Sequence, residues 1–348
     1  MKNMKKLAAI FLAALIASSM AACGSQPEEP SEAKPVSPTE ESTTQPAGTP
    51  YKIGIVQLAE HPALDASYQG FVDGLKESGW EEGKDFVVDY QNAQGEQANC
   101  QTIASKLVND QNDLIFAIAT PAAQAVASTT DTIPTLIAAV TDPADAKLVK
   151  SNEAPGSNIT GTSDLTPVAE QMKLLHQLIP EAKTVGMLYC SSEANSKFQV
   201  NLAKAAAAEL NLETVEATVS SSTELQQVAE ALVSKVDVIY VPTDNMVSSG
   251  LTTVSMIAEP AGIPIIVGEE AMIEKGGLAT YGVNYYNLGK MTAAQAVKIL
   301  KDGANPAEMP IEYLTDCDLV INKQVAENLG ITIPEDLAAS AEMYEPAA

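Results

Sequence analysis

From Tyr51 onward, short β-rich apolar runs alternate with longer amphipathic ones, and the whole order occurs twice. The first set of strand candidates covers residues 52–58, 86–91, 114–119 and 134–140; the second covers 184–189, 213–219, 236–241 and 264–267. Between and after them lie helix candidates at 62–78, 97–109, 122–129, 166–178, 196–210, 223–234, 247–261 and 288–300. A strand covered on both faces reads as an unbroken apolar run, and Leu114 to Ala119 fits that pattern. Strand–helix alternation predicts parallel sheets flanked by helices. The two sets also match in detail. Ile53-Gly54-Ile55 resembles Val185-Gly186-Met187, Asp113-Leu114-Ile115 resembles Asp237-Val238-Ile239, and Ile133-Pro134 resembles Ile263-Pro264, at offsets of 124 to 132 residues. That spacing suits a domain and is far too long for a solenoid repeat. The expectation is an α/β chain of two Rossmann-like lobes; the competing reading is one large doubly wound sheet.

Composition removes several function classes. All 20 basic residues are lysines, against 45 Asp and Glu, and the formal charge is −25. Such a chain repels a phosphate backbone and has no arginine fork for guanine, so nucleic acid is not an expected partner. The start reads as an export signal: Lys2, Lys5 and Lys6, then the apolar run Leu7 to Ile16, then small residues up to Cys23. Met20-Ala21-Ala22-Cys23-Gly24 resembles a bacterial lipobox, which implies cleavage after residue 22 and a lipid on Cys23. Residues 24–50 are rich in Pro, Glu, Ser and Thr with almost no large apolar side chain, the composition of a disordered tether.

Chemistry-bearing motifs are sparse. Cys100, Cys190 and Cys317 form no C-x-x-C, and the histidines are His61 and His176, so no metal spacing exists. Three cysteines leave room for one disulfide of unassigned pairing; Cys190 reads as a small core hydrophobe. There is no Gly-x-Ser-x-Gly elbow, no Gly-x-Gly-x-x-Gly and no phosphate-binding Gly-x-x-x-x-Gly-Lys. Neither an enzyme nor a cofactor is expected.

In open parallel sheets, ligands bind beyond the carboxyl ends of the strands. The segments there are Gln57 to Pro62, Thr120-Pro121-Ala122, Thr141-Asp142-Pro143, Ser191 to Ser196 and Thr243-Asp244-Asn245. Each is short, polar and leads into a helix, so helix N-termini should line a cleft and attract an anion. Thr120, Thr141, Ser192, Ser196 and Thr243 offer hydroxyls, while Glu60, Asp142, Glu193 and Asp244 could meet an ammonium group; the combination suits a zwitterion.

Several of these segments resemble the ABC-transporter substrate-binding lipoproteins for tryptophan, phenylalanine or tyrosine. The marks are Glu60-His61-Pro62-Ala63-Leu64-Asp65, Ala119-Thr120-Pro121-Ala122-Ala123-Gln124, Val140-Thr141-Asp142-Pro143, Asn158 to Asp164, Tyr240 to Asn245 and Tyr281 to Tyr286. The resemblance implies a periplasmic-binding-protein-like build. Two lobes close on one ligand, with a hinge of strands crossing near residues 161–165, 282–286 and 314–318. The implied division is 51–163 plus 284–314 for one lobe and 164–283 plus 315–348 for the other. It also implies a membrane permease and a cytoplasmic ATPase as partners, an extracytoplasmic location and an aromatic amino acid as ligand. A sugar, nucleoside or peptide, or an adhesin role, are the alternatives. The expected ligand contacts are Gln57, Glu60, His61, Thr120, Ala122, Thr141, Asp142, Ser192, Asn195, Ser196, Thr243, Asn245, Asn284 and Tyr285. Asn284 stands where the family often has Asp, which weakens any ammonium site there.

Overall fold

The computed structural model describes residues 48–346, so Cys23, the export signal and most of the tether lie outside the described residues. The chain runs β1 (Tyr51–Gln57), α1 (Pro62–Glu77), β2 (Phe86–Asn92), α2 (Gln97–Asn109), β3 (Leu114–Ile118), α3 (Thr120–Ala127), β4 (Thr135–Val140) and β5 (Ile159–Ser163). It continues with α4 (Val168–Leu178), β6 (Thr184–Cys190), α5 (Ala194–Glu209), β7 (Glu213–Val219), α6 (Leu225–Leu232), β8 (Val238–Val241), α7 (Asn245–Ala258), β9 (Ile265–Val267) and β10 (Ala279–Gly282). Last come α8 (Tyr285–Asp302), β11 (Glu312–Tyr313), β12 (Asp318–Asn322), α9 (Lys323–Asn328), α10 (Glu335–Ser340) and β13 (Glu342–Tyr344).

These strands form two sheets, in the order β11-β5-β4-β3-β1-β2 and β13-β12-β10-β9-β8-β6-β7. The repeated strand order read from the sequence thus becomes two sheets of the same build, not one large sheet. Each has its first strand (β1, β6) between the second and third. The pairings are parallel except for β10 with β12, which departs from the all-parallel expectation. Strands β5 and β10 to β13 were not among the strand candidates. They are two to five residues long, and a segment such as Ile159-Thr160-Gly161-Thr162-Ser163 carries no apolar run to mark it.

The core follows the periodicity. All five residues of β3 and all six of β4 are buried, because helices cover both faces. Helix α8 enters the first sheet's half after the second crossing and lies tightly on α1. A Cβ on Gly70 would stand 2.0 Å from the Tyr286 carbonyl oxygen, and one on Gly289 would stand 2.2 Å from that of Ser67. Only glycine permits this helix contact. The chain passes between the sheets three times: from β5 to α4, from β10 to α8 and from β11 to β12. Cys100, Cys190 and Cys317 are free thiols, so the disulfide left open by the sequence is not formed. Trp80 stacks on Tyr51, well away from the carboxyl ends of the strands.

Candidate functional site

The carboxyl ends of both sheets face one another across a cleft that contains two cavities. The outer one, ≈ 480 Å³, is lined by Glu60, Gln94, Glu96 and Pro121 from the first half and by Ser192, Glu193, Ser221 and Met246 from the second. The inner one is a slot of ≈ 10 Å³ near the crossings, about the size of one water. Its walls include His61, Leu64, Ala139, Asp164, Asn245, Glu269, Met272 and Tyr285. Asn245 borders both cavities.

Asp164 stands in the first crossing, just beyond β5. It is 3% exposed and accepts hydrogen bonds from the Thr141 hydroxyl at 3.0 Å and the Tyr285 hydroxyl at 2.7 Å. Burial pushes its carboxyl above the usual range, the two hydroxyls pull it back, and no cation contributes. The same contact pushes the Tyr285 hydroxyl well up, burial being the larger cause. Glu269, on the opposite wall, is also buried. It accepts from the Ser248 hydroxyl at 2.7 Å and the Ala271 N–H at 2.9 Å, with Lys275 nearby as a partial counter-charge.

His61 ends the loop after β1. Burial holds its imidazole down to about 4, so it is neutral at pH 7. Its Nε2 faces Asn245 Oδ1 at 3.4 Å across the cleft. The Asn245 amide NH₂ donates to Glu193, which orients Oδ1 towards the imidazole. With the proton on Nε2, Nδ1 is a buried acceptor without a partner.

The two sheets prepare their helix N-termini differently. At α7, Asp244 accepts from the Val247 N–H, the Cys190 N–H and the Ser196 hydroxyl, while Glu193 accepts from the Asn245 and Met246 N–H groups. The N–H groups at the start of α7 are thus already taken by two acidic side chains of the chain itself. Burial and the Asp244 charge push Glu193 up to about 8. At α3 no side chain caps the helix, and the buried Thr120 hydroxyl is without a partner. The residue before it, Ala119, has φ +85° and ψ 151°, a region that a side chain rarely enters, and Ala139 at the end of β4 also has a positive φ. The expectation that helix N-termini attract an anion therefore suits α3 and fails at α7.

Of the expected contacts, the structure brings His61, Thr243, Asn245 and Tyr285 to the inner slot, and Glu60, Ser192 and Asn245 to the outer cavity. Thr141 reaches the slot through Asp164. Gln57 is buried, donates to Asp65 and to the Ala59 carbonyl, and leaves its Oε1 unpartnered. Asn195 donates to Glu193 and to the Thr243 carbonyl. Eight expected residues line neither cavity: Gln57, Thr120, Thr141 and Asn195, and also Asp142, Asn284, Ser196 and Ala122. Asp142 accepts from the Ala144 and Asp145 N–H groups and from Asn152, closing its own turn. Asn284 caps α8 by accepting from the Asn287 N–H. Ser196 is spent on Asp244, and Ala122 is packed in the core. Tyr286, next to Tyr285, points to Asp73 on α1 instead of the cleft. The sequence reading missed Asp164, Gln199 and Glu269. Asp164 follows directly on β5, so the rule of strand carboxyl ends would have found it had β5 been seen. Gln199 lies one helical turn beyond Asn195, on the same face.

A family model described as ABC transporter substrate binding protein matches residues 52–344. A tyrosine-binding protein of Clostridioides difficile (strain R20291) is 42% identical over 277 residues, 80% of each chain. A crystal structure of an ABC domain in complex with L-Trp from Streptococcus pneumonia is 41% identical, with a TM-score of 0.82 over 85% of this chain and 99% of that one. The ligand-free, open structure of a substrate-binding protein with adhesive properties from Clostridium difficile is 44% identical, with a TM-score of 0.66 over 85% of this chain and 100% of that one. With two like sheets, three crossings and a shared cleft, the chain belongs to the ABC transporter substrate-binding protein family.

Proposed function

We propose that this chain is the extracytoplasmic, lipid-anchored substrate-binding protein of an ABC importer and that its cleft takes an aromatic amino acid. The observation that carries the ligand reading is Asp164: a buried carboxylate, held by two hydroxyls, with no cation among the described residues to answer it. Left alone such a charge is costly, and a ligand ammonium offsets the cost. The unpartnered Thr120 hydroxyl and the uncapped start of α3 suit the ligand carboxylate. Leu64, Met272 and Tyr285 give the slot, now the size of one water, apolar and aromatic walls that would pack on a ring once the slot widens around a ligand. The relatives that bind tyrosine or tryptophan support the same class.

The lobes are taken as residues 51–163 plus 284–314 and 164–283 plus 315–348, and they part to admit the ligand. At nearly equal identity, the chain superposes better on the L-tryptophan complex than on the open, ligand-free relative, which supports a closed arrangement here. Closure completes contacts from both lobes, so a ligand favours it by its differential affinity. A permease and an ATPase are the implied partners, and no catalysis is assigned. Among the described residues no helix is long and apolar enough to cross a membrane, in keeping with attachment through Cys23 alone. A thermal-shift screen of amino acids, sugars and nucleosides tests the ligand class: L-tyrosine or L-tryptophan should raise the unfolding midpoint most. Membrane fractionation of Cys23→Ala tests the anchor, and the variant should become soluble.

A further inference from the structure

We infer that Gln199 is the positioning residue that fastens the two sides of the cleft and sets Asp164 for the ligand. It sits on α5, in the half built on the second sheet, and is fully buried. Its own side of the cleft holds it first: the amide NH₂ donates to the Thr243 hydroxyl at 2.6 Å, and its oxygen accepts from the Thr243 N–H at 3.2 Å. The same NH₂ crosses the cleft and donates to the Thr141 hydroxyl oxygen at 3.1 Å, beyond β4 of the first sheet. Thr141 in turn donates to Asp164 at 3.0 Å, and Tyr285, at the start of α8, donates to the other oxygen of Asp164 at 2.7 Å. The series therefore joins the second sheet's half, the first sheet's half and two of the three crossings.

Its direction follows from chemistry. The amide NH₂ can only donate, a carboxylate can only accept, and the threonine hydroxyl between them does both. With Gln199 supplying a donor, the Thr141 proton is turned towards Asp164, and successive bonds polarise one another. Separating the two sides breaks the Gln199–Thr141 bond while leaving Gln199 on Thr243. Gln199 is thus a donor set in advance on one wall, completed only when the other wall arrives.

This inference rests on the reading that the cleft binds an aromatic amino acid, but one arm of its test does not. Gln199→Leu and Gln199→Glu are made in the full chain, and scattering of the ligand-free proteins is compared with affinity for L-tyrosine and L-tryptophan. Gln199→Leu should be more expanded than the wild type and bind about tenfold more weakly, since buried hydrogen-bond partners are left unmet. In Gln199→Glu the ionised side chain can only accept and competes for the Thr141 proton. Its affinity relative to the wild type should be lowest at about pH 8 and recover as pH falls towards about 5, because burial at this position raises the carboxyl and the protonated form donates again. A residue that merely filled space would show no such pH dependence. Equal scattering of Gln199→Leu and wild type, or a Gln199→Glu to wild-type affinity ratio flat with pH, would overturn the inference. A wild-type chain that binds neither amino acid would instead overturn the proposed function, leaving the scattering comparison to decide on Gln199.

Discussion

The carboxyl edges of the two sheets share a build and differ in what they leave open. Along the second sheet's edge, Glu193 and Asp244 are buried and almost fully occupied by N–H and hydroxyl donors of their own half. Along the first sheet's edge, Gln57 Oε1, His61 Nδ1 and Thr120 Oγ1 are buried without partners, against Asn195 Oδ1 on the second, and Ala119 and Ala139 carry backbone strain. Buried polar groups are rarely left unmet unless something else meets them, and strain gathers where function holds it. The second edge thus reads as a rigid wall and the first as the side, with Asp164 of the crossing, that offers groups to a ligand.

The largest expected effect breaks or upholds that division at once. Asp164→Asn keeps the shape and removes the charge, and calorimetry should show binding weakened by about 2–5 kcal/mol with the fold retained. Loss of fold in place of loss of binding would make Asp164 part of the structural wall. Next come paired substitutions. Asp244→Ala removes an N-cap and strands the Cys190 N–H, so it should lower stability by about 2 kcal/mol in a denaturant titration. Thr120→Val should scarcely alter stability and should weaken binding by about 1 kcal/mol. The opposite pattern would exchange the roles of the two edges.

A smaller effect is a pH slope. Glu270 packs against Gly282 at the second crossing, and burial, with the charges of Asp318, Glu269 and Glu342, pushes its carboxyl from 4.5 to about 7. Its Oε1 has no partner. Because the folded chain keeps a proton that the unfolded chain releases, Glu270 makes stability fall as pH rises from 4.5 to about 7. Thermal unfolding across that window should show a shallower slope in Glu270→Gln. The smallest effect is Ala119→Gly. Removing the Cβ relieves the positive φ and should raise the unfolding midpoint, by up to about 1 kcal/mol in stability. A fall would mean the backbone there is not strained.

The doubled alternation made the two sheets legible, because strands such as β3 and β4 are buried on both faces and show continuous apolar runs. Strands β5 and β11, at the crossings, were not legible as strands, being short and without an apolar run. That loss carried over to the site, since Asp164 is placed by β5. Asp142 illustrates the reverse ambiguity. A carboxylate after a strand and before a proline is as well suited to closing its own turn as to facing a ligand, and only geometry separates the two. Gln199 lies in a helix with no local sign that it reaches across the cleft.

The proposed function turns on Asp164 answering the ammonium group of an amino acid held between the two edges. The most direct measurement is a calorimetric titration of the full chain with L-tyrosine and with the same acid lacking its α-amino group. Binding of L-tyrosine, weakened at least about tenfold on loss of the amino group in the wild type but not in Asp164→Asn, is the predicted result. Equal binding of the two ligands by the wild type would contradict it.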